Sequence, residues 1–191
     1  MIRPMRAIGT LFCVAILCSL VSAQNQAQPS VNRNGAQESH PGKPCMFDPQ
    51  RGEIPDCIHV QPDGSLAVTP RYMRELPYDS GGLAAVWVAG EWNYVNRRGI
   101  VIITGVPAYD NGPDEFHDGL VRFVRDKKYG FANRKGEVVI LPRYDGALPF
   151  ENGRAKVCLG CVSKCIDRAC EHHMFSGGQW LTIGKQGAIL R

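Results

Sequence analysis

YVNRRGIVI at residues 94–102 and FANRKGEVVI at residues 131–140 are near copies of each other, thirty-seven residues apart. Each joins two short apolar runs through an asparagine, two basic residues and a glycine. Asparagine tolerates a turn and glycine supplies the positive φ that closes many short hairpin loops. The two stretches therefore predict the same thing twice: a strand, a reversal and a second strand.

Aligning the chain on these copies brings out three landmarks in fixed order. An aromatic precedes a glycine and an alternating run: Tyr78 before Gly82, Phe116 before Gly119, Phe150 before Gly153. An aromatic run closed by glycine follows: WNYVNRRG from Trp92, YGFANRKG from Tyr129, WLTIGKQG from Trp180. An apolar strand then leads to Pro-x-Tyr, at Pro70, Pro107 and Pro142. Tyr72 to Tyr109 is 37 residues and Tyr109 to Tyr144 is 35. A near-constant period in this range is the mark of tandem repeats.

Substitutions between copies predict which way side chains face. After the first glycine, the second residue is Ala84, Val121 or Ala155, and the fourth is Val86, Phe123 or Val157. The third is Ala85, Arg122 or Lys156. This period of two predicts a half-buried strand with the charged position outward. In the second strand Trp92 and Tyr94, Tyr129 and Phe131, and Trp180 with Thr182 take the inward places. The expected fold is all-β: tandem antiparallel β-meander repeats, about three to four units, stabilised by disulfides. Two units are nearly complete, the last is divergent and contains an insertion, and residues 60–72 form a fragment at the front. One meander cannot bury its apolar face alone, so neighbours must stack.

The order of landmarks resembles the bacterial WG-repeat proteins, over about residues 60–191. The best copies are FHDGLVRFVRDKKYGFANRKGEVVILPRYD and GGLAAVWVAGEWNYVNRRGIVI. The Trp-Gly pair itself is altered, being Trp92-Asn93, Tyr129-Gly130 and Trp180-Leu181. The resemblance implies β-rich repeats with a binding or interaction role and implies no catalytic residues.

Residues 1–23 read as a cleavable signal peptide. Arg3 and Arg6 precede an apolar run from Ala7 to Leu20, and Val21-Ser22-Ala23 offers a small-residue cleavage site. The run is short of the roughly 20 residues a membrane span needs. Phe12 and Leu17, which precede Cys13 and Cys18, are wrong for a lipoprotein signal. Residues 24–44 are polar and aperiodic, as in a flexible linker. Residues 45–191 are then the repeat domain. The expected location is periplasmic or secreted, with no membrane anchor in the mature chain. The formal charge of +4 loses two units with Arg3 and Arg6, which leaves no basic face for nucleic acid.

Six cysteines remain after the signal: Cys45, Cys57, Cys158, Cys161, Cys165 and Cys170. In an oxidising compartment they are disulfide candidates. Cys45 and Cys57 enclose a short loop suited to a local disulfide. The other four lie in KVCLGCVSKCIDRACEHH, residues 156–173, where spacing alone does not choose among three pairings. The alternative is a zinc or thiol-redox site built from Cys158, Cys161, Cys165 and Cys170 with His172 and His173, since thiolates and imidazoles are zinc ligands.

Other constellations carry less. Ser80 in DSGG does not fit the nucleophile elbow. His117-Asp118 and Glu171-His172 are sequence neighbours, which face opposite ways on a strand. No spacing meets a catalytic template, so no enzyme activity and no cofactor is expected. Trp87 occupies the outward register where other copies have Val124 or Cys158, which makes it the candidate contact surface. The expected function is binding, with a protein or cell-envelope polymer as partner.

Overall fold

The computed structural model describes residues 42–109, 112–170 and 172–191. The expected signal peptide and the linker up to residue 41 lie outside the described residues. The fold is all-β and antiparallel. Its first sheet contains β1 (Lys43–Cys45), β2 (Ile54–Val60) and β3 (Leu66–Val68). Lys43 and Pro44, two residues of the expected linker, thus lie in a strand of the fold, with Lys43 paired to Ile58. The front fragment is also fuller than expected, because β2 supplies a central strand to it.

Two meanders follow. The first is β4 (Leu83–Val88), β5 (Glu91–Asn96) and β6 (Val101–Val106). A short hairpin, β7 (Ala108–Tyr109) and β8 (Gly112–Pro113), leads out of it. The second meander is β9 (Leu120–Arg125), β10 (Lys128–Asn133) and β11 (Val138–Tyr144). The last sheet joins β12 (Gly146–Ala147) and β13 (Arg154–Leu159) to β16 (Gln179–Gly184). The expected insertion is a separate hairpin of β14 (Val162–Cys165) and β15 (His173–Ser176).

The recurring NR-x-G stretch closes the second strand onto the third. Asn96 Oδ1 accepts the N–H groups of Arg98 and Ile100 at 2.9 and 3.1 Å, and Asn133 Oδ1 accepts those of Lys135 and Glu137 at the same two distances. Gly99 and Gly136 complete the turns at φ 78° and 83°. The arginine has its own purpose. Arg97 lies over the Tyr78 ring at 5.3 Å and Arg134 over the Phe116 ring at 4.6 Å. In both meanders the turn arginine thus covers the aromatic that opens the unit.

Sheets and apolar layers alternate along the chain. Ala84, Val86 and Val95 face back onto Cys57, Ile58 and Val68 of the first sheet. Leu83, Tyr94 and Ile103 face forward onto Val121, Phe123 and Ala132. Leu120, Phe131 and Ile140 then face forward onto Ala155, Val157 and Ile183. The middle strand of each meander is therefore covered on both sides. Val95 is 0% exposed beside Tyr94 at 6%, and Ala132 is 2% exposed beside Phe131 at 0%. Each fully buried Val or Ile contributes about 1.5–3 kcal/mol.

Double coverage corrects one expectation. Arg122, read as outward, is 6% exposed. Its guanidinium forks onto Asp114, with Nη2 donating to Oδ1 at 2.6 Å and Nε to Oδ2 at 2.9 Å. Nη1 donates to Ala147 O at 2.8 Å, and Tyr94 Oη donates to Asp114 O at 2.7 Å. One charge pair thereby ties β5, β9 and β12 together. In the last sheet, on which no further meander of the described residues stacks, the same position is exposed, as Lys156. The alternation was right; the charge at its third position does not face solvent where another sheet follows.

The two-residue difference between periods also has a place. From the turn glycine to the tyrosine is 10 residues in the first meander and 8 in the second. The longer one carries a bulge opposite Trp92–Tyr94 and places Gly105 there at φ 68°. A Cβ on Gly105 would lie 2.4 Å from Val124 O of the next meander. The second meander also shifts register, between Tyr129 and Phe131, and a Cβ on Gly130 there would lie 2.7 Å from Ile140 O. Gly130 is the glycine of the degenerate Trp-Gly pair. Asn93 stands at the matching place in the first meander.

Candidate functional site

The chemistry-bearing residues gather at the end of the chain, where the β14–β15 hairpin leans on the last two sheets. The hairpin is held by close approach. A Cβ on Gly146 would lie 2.8 Å from the Phe175 ring and 2.9 Å from Cys161 Sγ. Phe175 meets Tyr129 edge-on, with centroids 5.5 Å apart, and reaches toward Trp180 at 6.3 Å. Asp145 fixes the turn below the hairpin. Its Oδ2 accepts the Gly160 N–H at 2.8 Å and its Oδ1 pairs with Lys128. The Lys128 hydrogen bond, with that of Gly160, holds the Asp145 carboxyl below the usual carboxylate range.

A groove of about 430 Å³ opens between hairpin and sheets, lined by Arg122, Tyr129, Leu148, Met174, Phe175 and Trp180 among others. A second hollow of about 500 Å³ adjoins it, bordered again by Leu148 and Trp180 with Lys156 and Thr182. Trp180 is 40% exposed, Leu148 41% and Met174 55%. This corrects the inward place given to Trp180. Its register partner is Cys158, as that of Trp92 is Trp87 and that of Tyr129 is Val124. Those two aromatics are half-covered by a following sheet or by the hairpin. Trp180 stands on the final sheet with part of its ring open to solvent.

Trp87, the contact candidate from sequence, is half-buried. It packs edge-on against Trp92 at 5.4 Å, and its backbone exchanges two hydrogen bonds with Met46. The signal that would have selected Trp180 was its place in the divergent copy, which carries the cysteine insertion.

The six cysteines pair locally: Cys45–Cys57, Cys158–Cys161 and Cys165–Cys170. Cys45 and Cys57 are 1% and 0% exposed and belong to the first apolar layer. Cys158 and Cys161 are buried under Gly178, at φ 69°, where a Cβ would lie 2.4 Å from Cys161 N. Of the six residues weighed as metal ligands, three come together. Cys165 Sγ, Cys170 Sγ and a His173 ring nitrogen lie within 4.8 Å of one another. His172 pairs instead with Asp167, Nδ1 to Oδ2 at 2.9 Å. The Asp118 carboxylate accepts the Gly153 N–H at 2.7 Å, which makes it a clamp between sheets. Among the described residues, no helix is long and apolar enough to cross a membrane.

Residues 129–160, from β10 to β13, match the family described as WG containing repeat. No curated protein and no solved structure matches the chain.

Proposed function

We propose that this chain, whose residues 129–160 match the WG containing repeat, is a repeat protein that serves as an exported, non-catalytic binding module of the cell envelope. The groove beside Trp180 takes an extended segment of a protein partner. One observation carries this reading: the half-open aromatic row of Tyr129, Phe175 and Trp180 lines a groove next to exposed Leu148 and Met174. Buried aromatic anchors with a polar rim are the usual centre of a recognition surface. The free edge of β14 and the neighbouring strand ends offer backbone groups to an extended chain. Export is supported by the three-part leader and by three disulfides within one chain.

The test is a displayed peptide library panned on the purified chain, with cell-wall polymer in a parallel pelleting assay. Peptides that bind the wild-type chain and lose at least tenfold affinity for Trp180→Ala support the reading. Trp87→Ala should leave the same peptides bound. Equal peptide affinity for wild type and Trp180→Ala would refute the groove. Selective pelleting with polymer, with no peptide recovered, would replace the protein partner by a glycan one.

A further inference from the structure

The β14–β15 hairpin carries two cysteines unlike the other four. Cys45, Cys57, Cys158 and Cys161 are buried, whereas Cys165 and Cys170 are exposed. A dithiol can reach the exposed pair without opening an apolar layer. The strand register puts His173 directly opposite Cys165. The turn returns Cys170 to the same spot at φ 59°. His173 Nε2 is consequently 3.3 Å from Cys170 Sγ and 3.7 Å from Cys165 Sγ.

We propose that reduction of the Cys165–Cys170 disulfide converts this hairpin tip into a zinc site. Its ligands are Cys165 Sγ, Cys170 Sγ and His173 Nε2, and one coordination position stays open. A dithiol reductant passes two electrons and two protons to the disulfide and becomes a disulfide itself. Each thiol then releases its proton as zinc binds, and the imidazole coordinates through its neutral nitrogen. Zinc bonds of about 2.3 Å to sulfur and 2.0–2.1 Å to nitrogen, at tetrahedral angles, set S···N near ~3.5 Å and S···S near ~3.8 Å. The two S···N distances present, 3.3 and 3.7 Å, already bracket the first value. Only the sulfurs must separate, by about 2 Å from bonding distance. Side-chain rotation at an exposed tip supplies a movement of that size. Disulfide and metal exclude each other, so zinc occupancy follows the thiol poise of the compartment.

The experiment titrates the purified chain with zinc against a chromogenic chelator, before and after anaerobic reduction with a phosphine. One zinc per reduced chain and none in the oxidised chain is the expected result. Cys165→Ser/Cys170→Ser should abolish binding, and His173→Ala should weaken it at least tenfold. Cys158→Ser/Cys161→Ser should bind as the wild type does. Cobalt in place of zinc should give a thiolate charge-transfer band in the reduced wild-type chain, a readout that needs no variant to fold. Overturning results are a reduced wild-type chain that takes up neither metal, and zinc binding that survives Cys165→Ser/Cys170→Ser.

Discussion

Arg122 sits between two sheets with Asp114, which is 1% exposed, as its carboxylate partner. Removing one member of a buried pair leaves the other charged and unsolvated, at a cost of about 3–5 kcal/mol. Arg122→Met should show a loss of that order in urea unfolding. Arg122→Lys should recover only part, because an ammonium cannot fork onto both carboxylate oxygens. Tyr94 gives a pH signature at the same junction. Burial, then the Asp114 and Glu115 carboxylates, push its phenol well above the ordinary value. A raised folded pKa stabilises fully below the unfolded value of about 10 and is lost as pH climbs past it. Tyr94→Phe should cost about 1 kcal/mol at pH 8. That difference from wild type should shrink above pH 10 in parallel unfolding curves.

At the scale of elements, the glycine of the Trp-Gly pair is a matter of space between strands. Gly130→Ala would drive a methyl to 2.7 Å from Ile140 O and 2.8 Å from Pro142 N. The expected loss is about 1–3 kcal/mol, with no change in the far-UV spectrum of the refolded protein. Cys45→Ala/Cys57→Ala opens a link between β1 and β2 with a sequence separation of 12. Loop-closure entropy puts that loss at about 3 kcal/mol, measurable by thermal unfolding.

Strands of this kind are legible because side-chain alternation is local. Ala84, Val86, Val121, Phe123, Ala155 and Val157 were readable as buried, and all six are. The turns were readable from Asn and Gly. Arg122 was not, because its burial depends on a sheet contributed by residues after it and on Asp114, eight positions before it. The turn arginines share this difficulty: Arg134 covers Phe116, a contact that strand alternation does not encode. The groove was illegible for the same reason. Trp180 looks like its counterparts Trp92 and Tyr129, and its exposure depends on which sheets pack against it rather than on its own strand pattern.

The described residues form a one-directional stack of sheets. Each sheet presents a forward face to the next, and the last forward face is left to the disulfide hairpin, Leu148, Lys156 and Trp180. Among the described residues no further sheet covers this face, and an uncovered face of a repeat stack meets solvent or a partner. Here that face has an aromatic row on one side and a redox-accessible cysteine pair at the hairpin tip. Phe175, Trp180 and the cysteine pair belong to the divergent unit, and Tyr129 joins them from the second meander.

The central claim is that partners bind this terminal face. Hydrogen exchange of the chain, with and without a peptide recovered from the library, tests it most directly. The account predicts added protection confined to β10 and to β12 through β16, with β1 to β6 unchanged. Protection centred on the first sheet or on the Trp87–Trp92 pair, with the terminal face unaffected, would contradict it.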